Sequence, residues 1–207
     1  MATRKIYNIK SIQARNYNIL DLGLYASYMG KPESKFVAMN YGGSGSGKSV
    51  HALKFSDFYA RHYGKVLYNS HEEAIHKTIQ DRINDFEISA PKLYVGDRLS
   101  YEEMCYKIER NYYRLAVIDS VQYMNFTMPQ LHEMRERFKK RNLSILMVSF
   151  GDSKGNPTNA KPLLHASDIK LFFKDGKVHS HGRYLSKPVD KVLFVPNQTV
   201  QQGKLFD

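Results

Sequence analysis

The chain has 207 residues, of which 42% are hydrophobic and 25% charged, enough apolar surface for one core of ordinary α/β size, which excludes a disordered tail. Lys and Arg total 31 against 20 Asp and Glu, a formal net charge of +11, and residues 135–207 alone hold 14 basic and 6 acidic side chains, so the C-terminal third is the side expected to face a polyanion. Neither a bilayer-length apolar run nor a signal segment is present, and the single cysteine, Cys105, excludes an internal disulfide framework, which makes a cytoplasmic protein the expectation.

In chain order, short β-rich runs alternate with helix-like stretches, the pattern of a mostly parallel sheet. After an N-terminal extension, residues 1–16, the first strand is expected at Phe36–Tyr41. Gly42-Gly43-Ser44-Gly45-Ser46-Gly47-Lys48-Ser49 follows at once, and Val50–Tyr63 reads as a helix. The octet matches G-x-x-x-x-G-K-[ST] between a strand and a helix, the setting that separates a phosphate loop from a flexible Gly/Ser linker. Its glycines let the loop turn its amides inward, and the helix that opens at Val50 adds its N-terminal dipole. Lys48 is placed to reach the β- and γ-phosphates of ATP, and Ser49 to set its hydroxyl on Mg²⁺.

A second strand, Val66–Asn69, ends in Ser70-His71-Glu72-Glu73. A carboxylate at a neighbouring strand tip suits the orientation and deprotonation of a water that attacks the γ-phosphate. Ser70 and Glu73 also have the spacing of a capping box, which would leave Glu73 closing a helix turn and favours Glu72 for the chemistry. Beyond a strand at Leu93–Val95, Ser100 and Glu103 form a capping box before Met104, Ile108 and Tyr112, and Cys105 reads as a core thiol. The apolar run Leu115–Asp119 ends in an acid suited to hydrated Mg²⁺. Thr127 with Gln130 opens the next helix, whose basic run Arg135–Arg141 is expected to face solvent as an auxiliary patch. Further strands are expected at Ser144–Phe150, Ile169–Phe173 and Val192–Val195, with residues 196–207 as a tail. His179 and His181 fall on one face of a strand, without a third ligand nearby.

These residues together resemble the RecA-like ATPases, and among them the RadA and DnaB branch. Val117-Ile-Asp119-Ser-Val-Gln122 is similar to the family's strand end with its Asp-Ser and following Gln. Leu67-Tyr-Asn-Ser-His-Glu72-Glu73 is similar to the RadA segment that carries the catalytic glutamate, and Leu163–Phe173 to the stretch after the second DNA-binding loop. The resemblance spans roughly residues 17–200 and implies one domain over 1–207, an α/β three-layer fold with a mostly parallel central sheet. It further implies Mg-dependent ATP hydrolysis at a subunit interface of a homo-oligomeric ring or filament, without contact with a membrane.

By the same resemblance, Glu72, Lys48 and Lys187 are the catalytic candidates, Lys187 reaching into the neighbouring subunit, and Ser49 and Asp119 hold the metal. The loops Gln122–Met128 and Gly151–Lys161 would face DNA, single-stranded DNA being the first choice, with Lys154 and Lys161 on phosphates and Tyr123 and Phe126 either stacked on bases or buried. Three departures stand out. No Cys-x-x-Cys pair exists for a zinc module, Ser149 takes the place of the family's polar sensor, and Val189 stands where an arginine would accompany Lys187. Two other readings remain: a KaiC-like switching or assembly module that does not bind DNA, and a small-molecule kinase, for which the Arg-rich lid is lacking.

Overall fold

A computed structural model describes residues 6–152 and 155–193. Its centre is an eight-stranded sheet in the order β3-β2-β4-β5-β1-β6-β7-β8. The strands are β1 Val37–Gly42, β2 Val66–Ser70, β3 Leu93–Asp97, β4 Leu115–Asp119, β5 Ser144–Phe150, β6 Ile169–Lys174, β7 Lys177–Gly182 and β8 Val189–Val192. The first six run parallel, while β7 and β8 are antiparallel additions at one edge. Every residue of β1, β2 and β4 is buried, as expected of central strands covered on both faces, and their continuous apolar runs reflect it.

The helices are α1 Ile9–Gln13, α2 Ala26–Met29, α3 Lys48–His62, α4 Lys77–Asp85, α5 Tyr101–Asn111, α6 Met128–Arg137 and α7 Lys161–Ala166. On one face of the sheet, Ala52, Leu53, Phe55 and Tyr59 of α3 pack on Ala38, Val66, Val117 and Leu146, and the segment Leu20–Met29 completes this layer. Met104, Cys105 and Ile108 of α5, Leu131 and Met134 of α6 and Leu163 of α7 cover Val37, Met39, Ala116 and Ile118 on the other. Full burial of each large side chain contributes about 2 kcal/mol to these layers. Both capping boxes form, Ser100 with Glu103 and Thr127 with Gln130, so α5 and α6 start where the sequence signals them.

Two elements differ from expectation. The last described strand is β8 at Val189–Val192, ahead of the expected Val192–Val195, whose final two residues lie outside the described ones, as do Lys154 and the tail. Before it, β7 pairs back on β6 through Asp175-Gly176, both at positive φ (48° and 72°). Asp-Gly between two strands is the residue pair such a turn requires.

Candidate phosphate and metal site

The C-terminal tips of β1, β2, β4 and β5 line one edge of the sheet, where parallel α/β folds place ligands. Strand β5 lies between β1 and β4, with Asn40 and Asp119 both level with Val148. Backbone geometry at β1 demands glycine: Gly42 has φ 149°, and a Cβ there would sit 2.3 Å from the carbonyl oxygen of Phe173. At the other end of the loop Gly47 is left-handed and gives no side-chain cap to α3, so the first amides of the helix are left to a ligand. Lys48 folds back over the loop, its Nζ 2.5 Å from the Gly43 carbonyl and 3.3 Å from Ser46 Oγ. Burial lowers its pKa, against the opposing pull of Glu72 and Asp119. Beneath it, Asn40 Nδ2 donates to the Lys48 carbonyl (3.1 Å) and to His51 Nδ1 (3.0 Å), which leaves the His51 Nε2 proton for Tyr28 Oη at 3.0 Å. Full burial pushes His51 down to about 3, so this ring supports the loop as a neutral group.

Asp119 ends β4 level with Ser70 of β2 and is 5% exposed. Its Oδ2 accepts a hydrogen bond from Tyr68 Oη, while its Oδ1 is buried with no hydrogen-bond partner among the described residues, as are Asn40 Oδ1, Ser120 Oγ and Gln122 Oε1. Desolvation pushes its carboxyl up to about 6; the Tyr68 hydrogen bond and the nearby Ser49 hydroxyl oppose the rise, and Glu72 and Glu73 add to it. An orphaned oxygen on a carboxyl group close to Ser49, with further negative charge nearby, fits a hard divalent cation such as Mg²⁺.

The two adjacent glutamates separate clearly. No helix begins at Ser70, because α4 starts at Lys77, so the capping-box alternative for Glu73 does not hold. Glu73 instead pairs with Arg82 at 2.6 Å. Glu72 is exposed, has no ion-pair partner among the described residues, and is held through its backbone N–H, which donates to the Asp119 carbonyl at 3.1 Å.

Around the next two loops, Gln122 Nε2 donates to Ser149 Oγ and to the Thr158 carbonyl, both at 2.7 Å. Ser149, expected at the sensor position, is fully buried and tied to Gln122. A cleft of about 250 Å³ opens between Gln122, Asn125, Thr127 and Asn159. The two aromatics of the first loop part ways. Phe126 is buried against Tyr101, and Tyr123 is 57% exposed beside Phe150.

The structure gathers Gly42–Val50, Glu72 and Asp119 but leaves Lys187 apart. Strand β7 starts beside the phosphate loop and ends with Gly182 level with Ile169, so the following turn with the exposed Lys187 lies at the opposite end of the sheet, roughly 20 Å away. Arg183 in that turn is paired with Asp168 at 3.1 Å. Tyr68, Asn40, His51 and Tyr28 are site-supporting residues that motif reading did not reveal. The signal for Tyr68 is its place two residues before a strand end, on the face that Asp119 shares.

Neither a family model nor a curated protein sequence matches the chain. Among solved structures, a KaiC-like protein of the hyperthermophilic archaeon Pyrococcus horikoshii OT3 aligns with a TM-score of 0.63 and 13% identity, over 86% of this chain and 93% of that one. The flagellar accessory protein FlaH of Methanocaldococcus jannaschii aligns with a TM-score of 0.60 at the same identity, over 86% of this chain and 96% of its own. These likenesses are of fold and do not single out the RadA and DnaB branch. Among the described residues no helix is long and apolar enough to cross a membrane. The chain therefore has the α/β three-layer fold of the RecA-like P-loop NTPases, with a mixed, largely parallel central sheet.

Proposed function

We propose that the chain is a Mg-dependent ATPase module in which the nucleotide governs switching or assembly without DNA, as in the KaiC-like reading. One observation carries this: among the described residues, a buried Lys48, an Asp119 with an orphaned oxygen and a Glu72 without an ion-pair partner stand together at the tips of β1, β4 and β2. In this reading the amides of Gly43–Val50 bind the phosphates, and Lys48 leaves the Gly43 carbonyl to contact the β- and γ-phosphoryl oxygens. Ser49 and Asp119 would hold Mg²⁺, which would supply positive charge to stabilise the phosphoryl group in transfer. Glu72 orients the attacking water and takes its proton. Lys187, at the far end of the sheet, cannot serve its own phosphates and acts on those of a neighbouring copy, which makes the active form a homo-oligomer.

Coupling to single-stranded DNA is the second reading, favoured by the basic excess beyond residue 134. Part of that excess is met from outside the segment, since Arg137 pairs with Glu109 at 2.8 Å. The deciding experiment measures phosphate release with and without single-stranded DNA, and mass in solution with and without Mg·ATP. Assembly on Mg·ATP with turnover indifferent to DNA supports the switching module; DNA-stimulated turnover transfers the assignment to the DNA-coupled ATPase. No phosphate release under any condition overturns both.

A further inference from the structure

We infer that Tyr68 is a positioning residue for the metal: its phenol fixes the Asp119 carboxylate in the orientation that turns Oδ1 toward the cation. The inference rests on the reading of Asp119 as a metal ligand. Tyr68 lies on β2 level with Val117, two residues before the Ser70–Asp119 pair. In a strand, residues two apart share a face and lie about 6.6 Å apart, and a tyrosine ring spans that distance where serine or threonine does not. Its hydroxyl donates to Asp119 Oδ2 inside a sealed environment, Tyr68 being 3% and Asp119 5% exposed.

The consequence is an asymmetric carboxylate. Oδ2 is occupied by a neutral donor that stays within the protein, and Oδ1 remains buried and without a hydrogen-bond partner among the described residues. A ligating carboxylate that is free to rotate must be ordered when the cation arrives, whereas one held by an outer hydrogen bond is already in place. Loss of such an outer partner typically lowers metal affinity 10–100-fold. Tyr68 touches neither nucleotide nor water in this arrangement and acts only through Asp119.

The test measures Mn²⁺ affinity by electron paramagnetic resonance on the full chain bound to a non-hydrolysable ATP analogue, beside analogue affinity in EDTA. Tyr68→Phe, which keeps the ring and removes one oxygen, is expected to weaken Mn²⁺ binding at least tenfold and leave metal-free analogue affinity unchanged. Ser70→Ala, at the same strand end and level with Asp119, is expected to keep wild-type Mn²⁺ affinity. In an Asp119→Ala background, Tyr68→Phe should add no further loss. Unchanged Mn²⁺ affinity in folded Tyr68→Phe, equal losses in Tyr68→Phe and Ser70→Ala, or additive losses in the double variant would each overturn the role of Tyr68. Should Asp119→Ala itself bind Mn²⁺ as the wild type does, the metal-site reading fails first.

Discussion

The two ends of the sheet treat charge in opposite ways. At the tips of β1, β2 and β4, Lys48 and Asp119 are buried at 8% and 5% exposure, and one Asp119 oxygen has no hydrogen-bond partner among the described residues. At the other end, the turn after β7 carries Lys187 in solvent and an Arg183 already paired with Asp168. Desolvated, incompletely paired charge destabilises a folded chain and persists where a ligand completes it. Asp168 at the other end is as buried as Asp119 but is met by Arg183 and the Val37 N–H, so buried charge left incompletely paired, rather than charge density, marks the site.

Substitutions sharpen this contrast, the largest effect being expected at Glu72. Glu72→Gln should bind ATP normally and lose on the order of 10²-fold or more in turnover, as for removal of a general base. Glu73→Gln should keep turnover and lose at most about 1 kcal/mol of stability with its partly exposed Arg82 pair. Steady-state phosphate release and urea melts read both, and the reverse pattern would move the catalytic role to Glu73.

Asp119 comes next. A carboxyl raised from 3.8 to about 6 contributes stability that is fully present below pH 3.8 and lost as pH rises through about 6. At pH 7 the metal-free wild type therefore carries a penalty of up to about 3 kcal/mol. Asp119→Asn is expected to be more stable than the wild type in EDTA, and to gain less from Mg·ATP; urea melts in the two conditions check this.

His51 should act with the opposite sign. Its pKa falls from 6.5 to about 3 on folding, so its stabilising effect is present above pH 6.5 and is lost as the pH drops toward 3. The slope is at most about 1.4 kcal/mol per pH unit. His51→Phe keeps the ring among Tyr25, Phe55 and Phe173. It is expected to flatten the acid limb of the stability profile while lowering stability at neutral pH.

Lys187→Ala should have the smallest effect on the folded chain, leaving the melting temperature unmoved. Its effect is confined to turnover in the assembled state. Mixed with Lys48→Ala subunits, it should recover part of the activity that each variant lacks, and no recovery in co-assembled mixtures would end the in-trans role.

Much of this arrangement was legible because local signals and tertiary placement agree. The strands Leu115–Asp119 and Ser144–Phe150 have the expected bounds, and both capping boxes form. The phosphate loop was readable because its glycines answer a backbone requirement that Gly42 still displays. Contacts between strands distant in sequence were not. No spacing rule pairs Tyr68 with Asp119, or His51 with Tyr28, because their meeting depends on strand order and register. α4 has no side-chain cap and no acidic first turn, so nothing local announced its start. β7 is polar along most of its length, and the local signal for it lies in the Asp175-Gly176 turn before it.

The central claim, that the tips of β1, β2 and β4 form a nucleotide site, is tested most directly by calorimetric titration of Mg·ATP into the wild type and into Lys48→Ala, each shown to be folded. Saturable binding by the wild type at one nucleotide per chain, weakened by a factor of about 10² in Lys48→Ala through loss of a buried charge on the phosphates, is the expected result. Binding of equal strength in both proteins, or none in the wild type, would contradict it.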